Sequence, residues 1–200
     1  GPFMWPILIC SIVALAFVFE RLVSLRRGAI YPRQQVDELR GQVSAGETGA
    51  AIAACERDPS PFARVLHACL VRSETEGFEM EAALEEAGAR ALYDMRRGCR
   101  PLGVIADVSP LLGLLGTVAG MIKSFEVVAQ EGALGKAEML AEGISEALLT
   151  TAFGLCVAVP ALLFYQYFRS RTEGWARVIE DTCLDLLVQL RRAQKPAADA

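Results

Sequence analysis

Three long apolar segments alternate with charged stretches along this chain. The first runs from Phe3 to Phe19, the second from Pro101 to about Ile122, and the third from about Gly143 to Phe168. A helix needs about 20 mostly apolar residues to cross the hydrocarbon core of a bilayer, and the second and third segments have that length. The first segment is short, but Trp5 near its start is typical of an aromatic residue at the membrane interface. The pattern therefore predicts three transmembrane helices.

The stretches next to the spans also have helical periodicity. Before the second span, apolar residues recur at helical spacing at Met80, Ala83, Leu84, Ala87, Ala91 and Met95. We therefore expect the second span to continue this preceding helix without interruption. The third span is expected to run on as a helix to about Leu190.

Turn signals divide the remaining charged region. Within residues 34–56, breaks are expected at Gly41, Gly46 and Gly49, which predicts a short helical hairpin. Ser60 or Asp58 is expected to cap the helix that follows. The tail from 196 to 200 is expected to be disordered, and no strand pattern or nucleotide-binding loop occurs in the sequence.

These patterns predict an all-α membrane protein with three transmembrane helices and long helical extensions into a cytoplasmic helical domain. The predicted parts are the first transmembrane helix at 1–20, the cytoplasmic helical domain at 21–100, the second transmembrane helix with its outer end at 101–129, a short outer loop at 130–142, the third transmembrane helix at 143–168, and a cytoplasmic helix and tail at 169–200.

The distribution of arginine predicts the orientation of the spans. Every arginine lies within 21–100 or 169–192, and none lies within 101–168. Because arginine and lysine concentrate in cytoplasmic loops, both arginine-rich regions are expected in the cytoplasm and the N-terminus outside. In the first segment the positive charge follows the apolar run, which indicates a retained anchor and not a secretory signal peptide.

The overall composition is consistent with this division into apolar spans and charged stretches. Hydrophobic residues make up 53% of the chain, with net charge −4 and a pI near 5.2. No basic patch with interleaved aromatic residues occurs, so no nucleic-acid partner is expected. The six cysteines are scattered without a CxxC pair and are expected to be small, reduced, mostly buried residues. His67 has no neighbouring ligand residues, so no metal site, cofactor or enzyme activity is expected.

Two carboxyl groups lie inside the apolar segments, at Asp107 and Glu146. A carboxyl inside a membrane is costly, so such a group usually faces a bundle interior or an aqueous path. Asp107 is either such a group or a carboxyl close to the inner interface. Glu146 is either an interfacial carboxyl near a helix N-terminus or a pore-facing group clustered with the hydroxyls of Ser145, Thr150 and Thr151.

Small residues in the second span form a stripe at Gly113, Gly116 and Gly120, which lets helices approach closely in lipid. Thr117 adjoins this stripe, although a threonine hydroxyl also bonds readily to its own helix. The candidate proton-pathway residues are thus Thr117, Thr151, Glu146 and Thr150. One chain has too few polar groups to line a pore alone, so a homo-oligomer in membrane lipid is expected.

Several motifs have the order and spacing of one known family. They are Met4-Trp5-Pro6, Glu20-Arg21, Pro110 to Val118, Gly143 to Leu148, Thr151 to Leu155, and Val159-Pro160-Ala161. With these motifs the chain resembles the MotA/TolQ/ExbB proton channel family, most closely its ExbB and TolQ branch. The resemblance covers almost the whole chain, and the motifs are specific when taken together.

The resemblance implies a subunit of an energy-transducing motor in the bacterial inner membrane, with a periplasmic N-terminus and a cytoplasmic C-terminus. It implies a homopentamer around an ExbD/TolR-like dimer of single-span proteins, which carries the proton-binding aspartate, and a TonB-like or TolA-like protein that receives the work. Thr117 and Thr151 then correspond to lumen-facing threonines, and Glu146 to the membrane glutamate. A TolQ-like role in envelope integrity and a passive membrane scaffold are the alternatives.

Overall fold

The structure is a computed structural model that describes residues 2–72, 77–131 and 137–194. Eight helices occur in these described ranges: α1 (Met4–Ser24), α2 (Arg27–Ile30), α3 (Arg33–Ser44), α4 (Thr48–Arg57), α5 (Pro61–Val71), α6 (Gly77–Arg97), α7 (Arg100–Glu131) and α8 (Ala137–Gln194). The chain divides into two compact units, which are residues 1–21 with 99–167 and residues 22–98 with 168–200. The tail predicted to be disordered, 196–200, lies outside the described residues.

The prediction of a helical protein with three candidate membrane spans is confirmed. The helical segments Met4–Ser24, Arg100–Glu126 and Leu140–Ala193 are each long and apolar enough to cross a bilayer. The helices next to the predicted outer loop extend further than expected. Helix α7 extends to Glu131 and α8 begins at Ala137, so the described part of 130–142 is helical. Positions 132–136 lie outside the described residues.

The prediction that the second span continues the preceding helix is wrong. Helix α6 ends at Arg97 and α7 begins at Arg100, with Gly98 and Cys99 in a turn between them. Glycine is a poor helix former, and Pro101 has no N–H for a helical hydrogen bond, so a new helix start is favoured here. The expected extension of the third span is confirmed, because α8 continues without a break to Gln194.

The unit formed by residues 1–21 and 99–167 has small residues inside and large apolar residues outside. Ala147, Ala158 and Ala161 are buried along α8, while Leu111 of α7 and Leu163 of α8 are exposed. Membrane helices commonly pack through small residues because lipid solvates the large apolar side chains as well as a protein core does. This arrangement is consistent with a lipid-embedded helical unit.

The unit formed by residues 22–98 and 168–200 has an apolar core. Its largest fully buried side chains include Phe62 and Leu66 of α5 and Phe168, Ile179 and Leu186 of α8. Cys55, Cys69 and Cys183 are buried in this unit, and all six cysteines of the chain are free. Burial of such side chains away from water supplies the main free energy that holds a helical unit together.

Two local features of this second unit bear on the turn predictions. Ser60 caps α5, since its side-chain oxygen accepts a hydrogen bond from the backbone N–H of Ala63 at 3.2 Å. Gly46 lies between α3 and α4 with φ of 76°, a conformation that glycine adopts without strain. The breaks expected at Gly41 and Gly49 are wrong, because both residues lie within helices.

Candidate functional site

Helices α7 and α8 of the first unit pack antiparallel through their backbones. A Cβ atom built on Gly113 would lie 2.9 Å from the Cα of Thr151, and one built on Gly120 would lie 2.9 Å from the Cβ of Ala147. Residue numbers at the contacts therefore increase along α7 while they decrease along α8, as in an antiparallel pair. We call this contact the small-residue seam; it comprises Ser109, Gly113, Gly116, Thr117, Gly120 and Ser124 of α7 with Gly143, Ala147, Thr150, Thr151 and Gly154 of α8.

Glycine is required at several positions of the seam by the lack of space. A Cβ on Gly154 would lie 2.7 Å from the backbone oxygen of Ser109 and 3.2 Å from the Cα of Gly113. A Cβ on Gly116 would lie 2.5 Å from the Cγ2 of Thr150. Because backbone atoms cannot swing aside as side chains do, Gly154 sets how closely the two helices approach, while Gly116 gives room for the methyl group of Thr150.

Thr151 links the two helices by a hydrogen bond. Its Oγ1 donates to the backbone carbonyl of Gly113 at 2.9 Å, and the residue is half-buried at the margin of the seam. A hydroxyl that donates one hydrogen bond still has oxygen lone pairs that accept others. Thr151 can therefore hold the seam closed and also interact with a group that reaches its exposed side.

Thr117 and Thr150 are buried within the chain. The hydroxyl of Thr117 donates to the carbonyl of Leu114 at 2.7 Å, and that of Thr150 donates to the carbonyl of Glu146 at 3.0 Å. Thr117 lies one turn from Gly113 on the same face of α7. The seam thus brings the hydroxyls of Thr117 and Thr151 to neighbouring turns of one helix pair, although no direct bond between them is present in the described residues.

The two carboxyl groups lie outside the seam. Glu146 and Asp107 are both exposed, on α8 and α7 respectively. The sequence pattern groups Glu146 with Thr150 because the two are one turn apart. In the structure Thr150 packs on Gly116 and is only 3% exposed. The carboxylate of Glu146 is accordingly more accessible than the Thr150 hydroxyl.

Sequence reasoning did not single out Ser109, Gly143 or Gly154 as parts of this site. Gly154 follows Ala147 by two turns and precedes Ala158 by one, so a small-residue stripe on α8 was present in the sequence and indicates its packing face. Ser109 lies one turn before Gly113. The same spacing that links Gly113 to Thr117 therefore includes Ser109 as well.

The described residues of the second unit do not form a clear catalytic or metal-binding cluster. Nε2 of His67 lies 3.7 Å from Oε1 of Glu56, a weak contact between α5 and α4. Within the described ranges, no group of three or more histidine, cysteine or acidic side chains is arranged to hold a metal ion. The seam is therefore the best candidate for a functional site.

Comparison with known proteins identifies the family. The model of the MotA/TolQ/ExbB proton channel family matches residues 57–181, which include α7 and all the seam residues of α8. The chain belongs to this family. The resemblance seen in the motifs is thereby confirmed, and the family's matched region contains Thr117, Thr151 and Glu146.

Three relatives in the family illustrate the range of similarity. A putative biopolymer transport protein ExbB-like 1 from Synechocystis sp. is 38% identical over 83% of this chain, and ExbB-like 3 from the same organism is 32% identical over 82%. A biopolymer transport protein ExbB from Pseudomonas putida is 35% identical over 60%. The chain spans 66%, 79% and 36% of these three proteins, respectively.

Proposed function

We propose that this chain is the proton-channel subunit of an inner-membrane motor that, with an ExbD-like partner, couples the proton motive force to a TonB-like protein for energised import across the outer membrane. The observation that carries the proposal is the hydrogen bond from Thr151 to Gly113 at the seam, with Thr117 one turn away. The family match and the ExbB names of the relatives support it.

The division of polar and apolar surface supports an oligomer as the active unit. One chain offers a few hydroxyls, Glu146 and otherwise mostly exposed apolar side chains on its spans. A water-filled path within such a chain would have to be lined almost entirely by apolar groups, which do not bind protons. Several copies that turn their seam margins toward a shared centre would give a ring of hydroxyls, and we propose a homopentamer in membrane lipid around a partner dimer.

The proton itself is carried by an acid of the ExbD/TolR-like partner. In an apolar surrounding this carboxyl is neutral, because burial disfavours its charged form. Beside Thr117 and Thr151 the two hydroxyls turn from the carbonyls of Leu114 and Gly113 and donate to the carboxylate, which stabilises its charged form, so the acid releases its proton there. We propose that Glu146, which is exposed on α8, receives protons from the periplasmic side. Thr150 contributes by holding α7 and α8 together.

The energy available is sufficient to bias movement between subunits. One proton crossing the membrane releases about 2.3 kcal/mol per 100 mV of potential. If the acid is neutral against the apolar wall and charged beside the threonines, proton flow favours one direction of relative motion. The arginine distribution supports an orientation with the N-terminus in the periplasm and the C-terminus in the cytoplasm.

The proposal is tested with Thr117→Val and Thr151→Val in the complex reconstituted with its partner in lipid vesicles. Valine keeps the shape of threonine and removes the hydroxyl, so assembly should persist while potential-driven proton flux is lost. Thr172→Val is the matched control, since Thr172 is fully buried and donates to the carbonyl of Arg169 outside the seam. Full flux in both seam variants refutes the proton role and leaves a passive membrane scaffold.

The ExbB-like and TolQ-like roles differ in the protein that receives the work. Purifying the tagged complex from cells with both candidate receivers present distinguishes them. We expect a TonB-like protein to be retained. Retention of a TolA-like protein in its place would assign the chain to the envelope-integrity system.

A further inference from the structure

Ser109 has a buried hydroxyl that the proposed function does not use. The residue is 0% exposed, and its Oγ has no hydrogen-bond partner within the described part of the chain. The other seam hydroxyls differ, since those of Thr117, Ser124, Thr150 and Thr151 each donate to a backbone carbonyl. An unpaired hydroxyl in an apolar interior is unfavourable, so its retention requires an explanation.

The position of Ser109 continues the line of polar groups along α7. Residues one turn apart lie on the same face of a helix, so Ser109, Gly113 and Thr117 form a single row. Thr151 bonds to the middle of this row through the carbonyl of Gly113. Ser109 therefore extends the row by one turn, toward the end of α7 that we assign to the cytoplasmic side.

The backbone beside Ser109 supplies a second polar group. Pro110 lies within α7 and has no N–H, so it cannot give the carbonyl of Ala106 its usual helical hydrogen bond. Ala106 is also buried. A hydroxyl and a carbonyl deprived of its usual donor thus occur within one turn, and together they match the two or more polar partners that a buried water requires.

We propose that Ser109 is a third hydroxyl of the proton path, one turn inward of the bond between Thr151 and Gly113, where it positions a water molecule with the help of the Ala106 carbonyl. This inference rests on the proposed function. The water accepts a proton from the seam side on its oxygen and releases one of its own protons toward the cytoplasmic side. Ser109 remains neutral throughout and acts as a positioning residue.

The key variants are Ser109→Ala, which removes the hydroxyl, and Ser109→Thr, which retains it. In the reconstituted complex, Ser109→Ala should lower potential-driven proton flux about tenfold, the factor expected when one hydrogen bond of ordinary strength is lost from the transfer step. Ser109→Thr should retain most of the flux. Thr172→Val, which removes a buried hydroxyl outside the seam, should conduct like the unmodified complex.

Stability gives a readout that separates a transport role from a structural one. Because Ser109 makes no hydrogen bond to the protein itself, Ser109→Ala should change the thermal midpoint little, in contrast to its lower flux. If the Ser109→Thr complex does not assemble, Ser109→Cys is measured in its place. Cysteine has nearly the same volume as serine and keeps a weak hydrogen-bond donor, its S–H group.

The outcomes distinguish this inference from the proposed function. Unchanged flux in Ser109→Ala, or equal loss in the alanine and hydroxyl-retaining variants, overturns the role of Ser109. If Thr117→Val and Thr151→Val lose flux in the same vesicles, the proposed function stands without Ser109. If those two variants conduct normally, the proposed function itself fails.

Discussion

The hydroxyl of Thr151 on α8 donates to the backbone carbonyl of Gly113 on α7 at 2.9 Å. In an ordinary helix this carbonyl accepts only the N–H of the residue one turn later, so the Thr151 bond is an additional link between two spans. The absence of a side chain on Gly113 makes the approach possible. A group proposed to act on protons is therefore also part of the contact between the helices.

The stability of Thr151 variants should be only weakly affected. Hydrogen bonds between membrane helices contribute about 0.6 kcal/mol on average, so Thr151→Val should lower the free energy of unfolding by roughly that amount. Thr151→Ser retains the hydroxyl and should unfold close to the unmodified protein. The measurement is denaturation of the full chain in detergent. Dissociation of the complex by Thr151→Val would show that the bond is mainly structural.

Gly154→Ala should destabilise the first unit. The added Cβ would lie 2.7 Å from the backbone oxygen of Ser109, so the two helices must separate. Overpacking of this kind costs about 1–3 kcal/mol. The matched control is Gly174→Ala in the same helix, where a Cβ meets nothing within 4 Å and better helix propensity applies. Thermal midpoints should fall for Gly154→Ala and rise slightly for Gly174→Ala; equal midpoints would contradict the close approach.

Ser60→Ala should weaken the start of α5. Ser60 Oγ accepts from the N–H of Ala63 and donates to Oδ2 of Asp58 at 2.8 Å. Loss of a serine cap costs about 1 kcal/mol. Chemical denaturation of the full chain measures the change, and Ser170→Ala on the exposed face of α8 is the control. A loss no greater than in the control would mean that the cap contributes little.

Alkaline pH should destabilise the second unit through its buried thiols. Burial, with a smaller contribution from nearby Asp58, raises the pKa of Cys55 from 9.0 to about 12, and burial raises the pKa of Cys69 to about 11 against the opposing effect of Arg72. Folding therefore favours the protonated thiols. Their contribution is fully present below pH 9 and is lost as pH rises toward the folded-state pKa values.

The pH effect is measured as the thermal midpoint between pH 8 and pH 12. Cys55→Ala should show a shallower decline over this interval than the unmodified chain. Cys156→Ala is the control, because Cys156 is exposed on α8. The same slope in all three proteins would exclude Cys55 as the titrating group. Only the slopes are compared, since filling the Cys55 site with a smaller residue shifts the midpoint at every pH.

Much of the fold follows from patterns that depend on local sequence. The apolar segments are long enough to identify as spans, and the Pro61 turn with Ser60 before it identifies the start of α5. Gly41 and Gly49 were expected to end helices, but a glycine costs only about 1 kcal/mol within a helix, which tertiary packing compensates. At Gly98 the neighbouring Pro101 adds a second penalty, and there the helix does end.

The candidate site depends on which residues meet across two helices. The stripe at Gly113, Gly116 and Gly120 indicates a packing face, but the sequence does not state that Gly113 meets Thr151. That pairing is set by the alignment of two antiparallel helices, which sequence spacing within each helix leaves open. The burial of Thr150 and the unpaired hydroxyl of Ser109 follow from the same alignment, so they were visible only in the structure.

The backbone contact at the seam restricts how the protein can move. Long side chains can change rotamer when helices slide, but Gly154 meets Ser109 and Gly113 through main-chain atoms that have no such freedom. A shift of one residue along the axis, together with the rotation of about 100° that separates successive helical residues, would bring a bulky Leu155 to the place that Gly154 occupies. The parts of α7 and α8 that form the seam should therefore move as one rigid body, and any slippage should be confined to their outward surfaces, which carry leucines and phenylalanines.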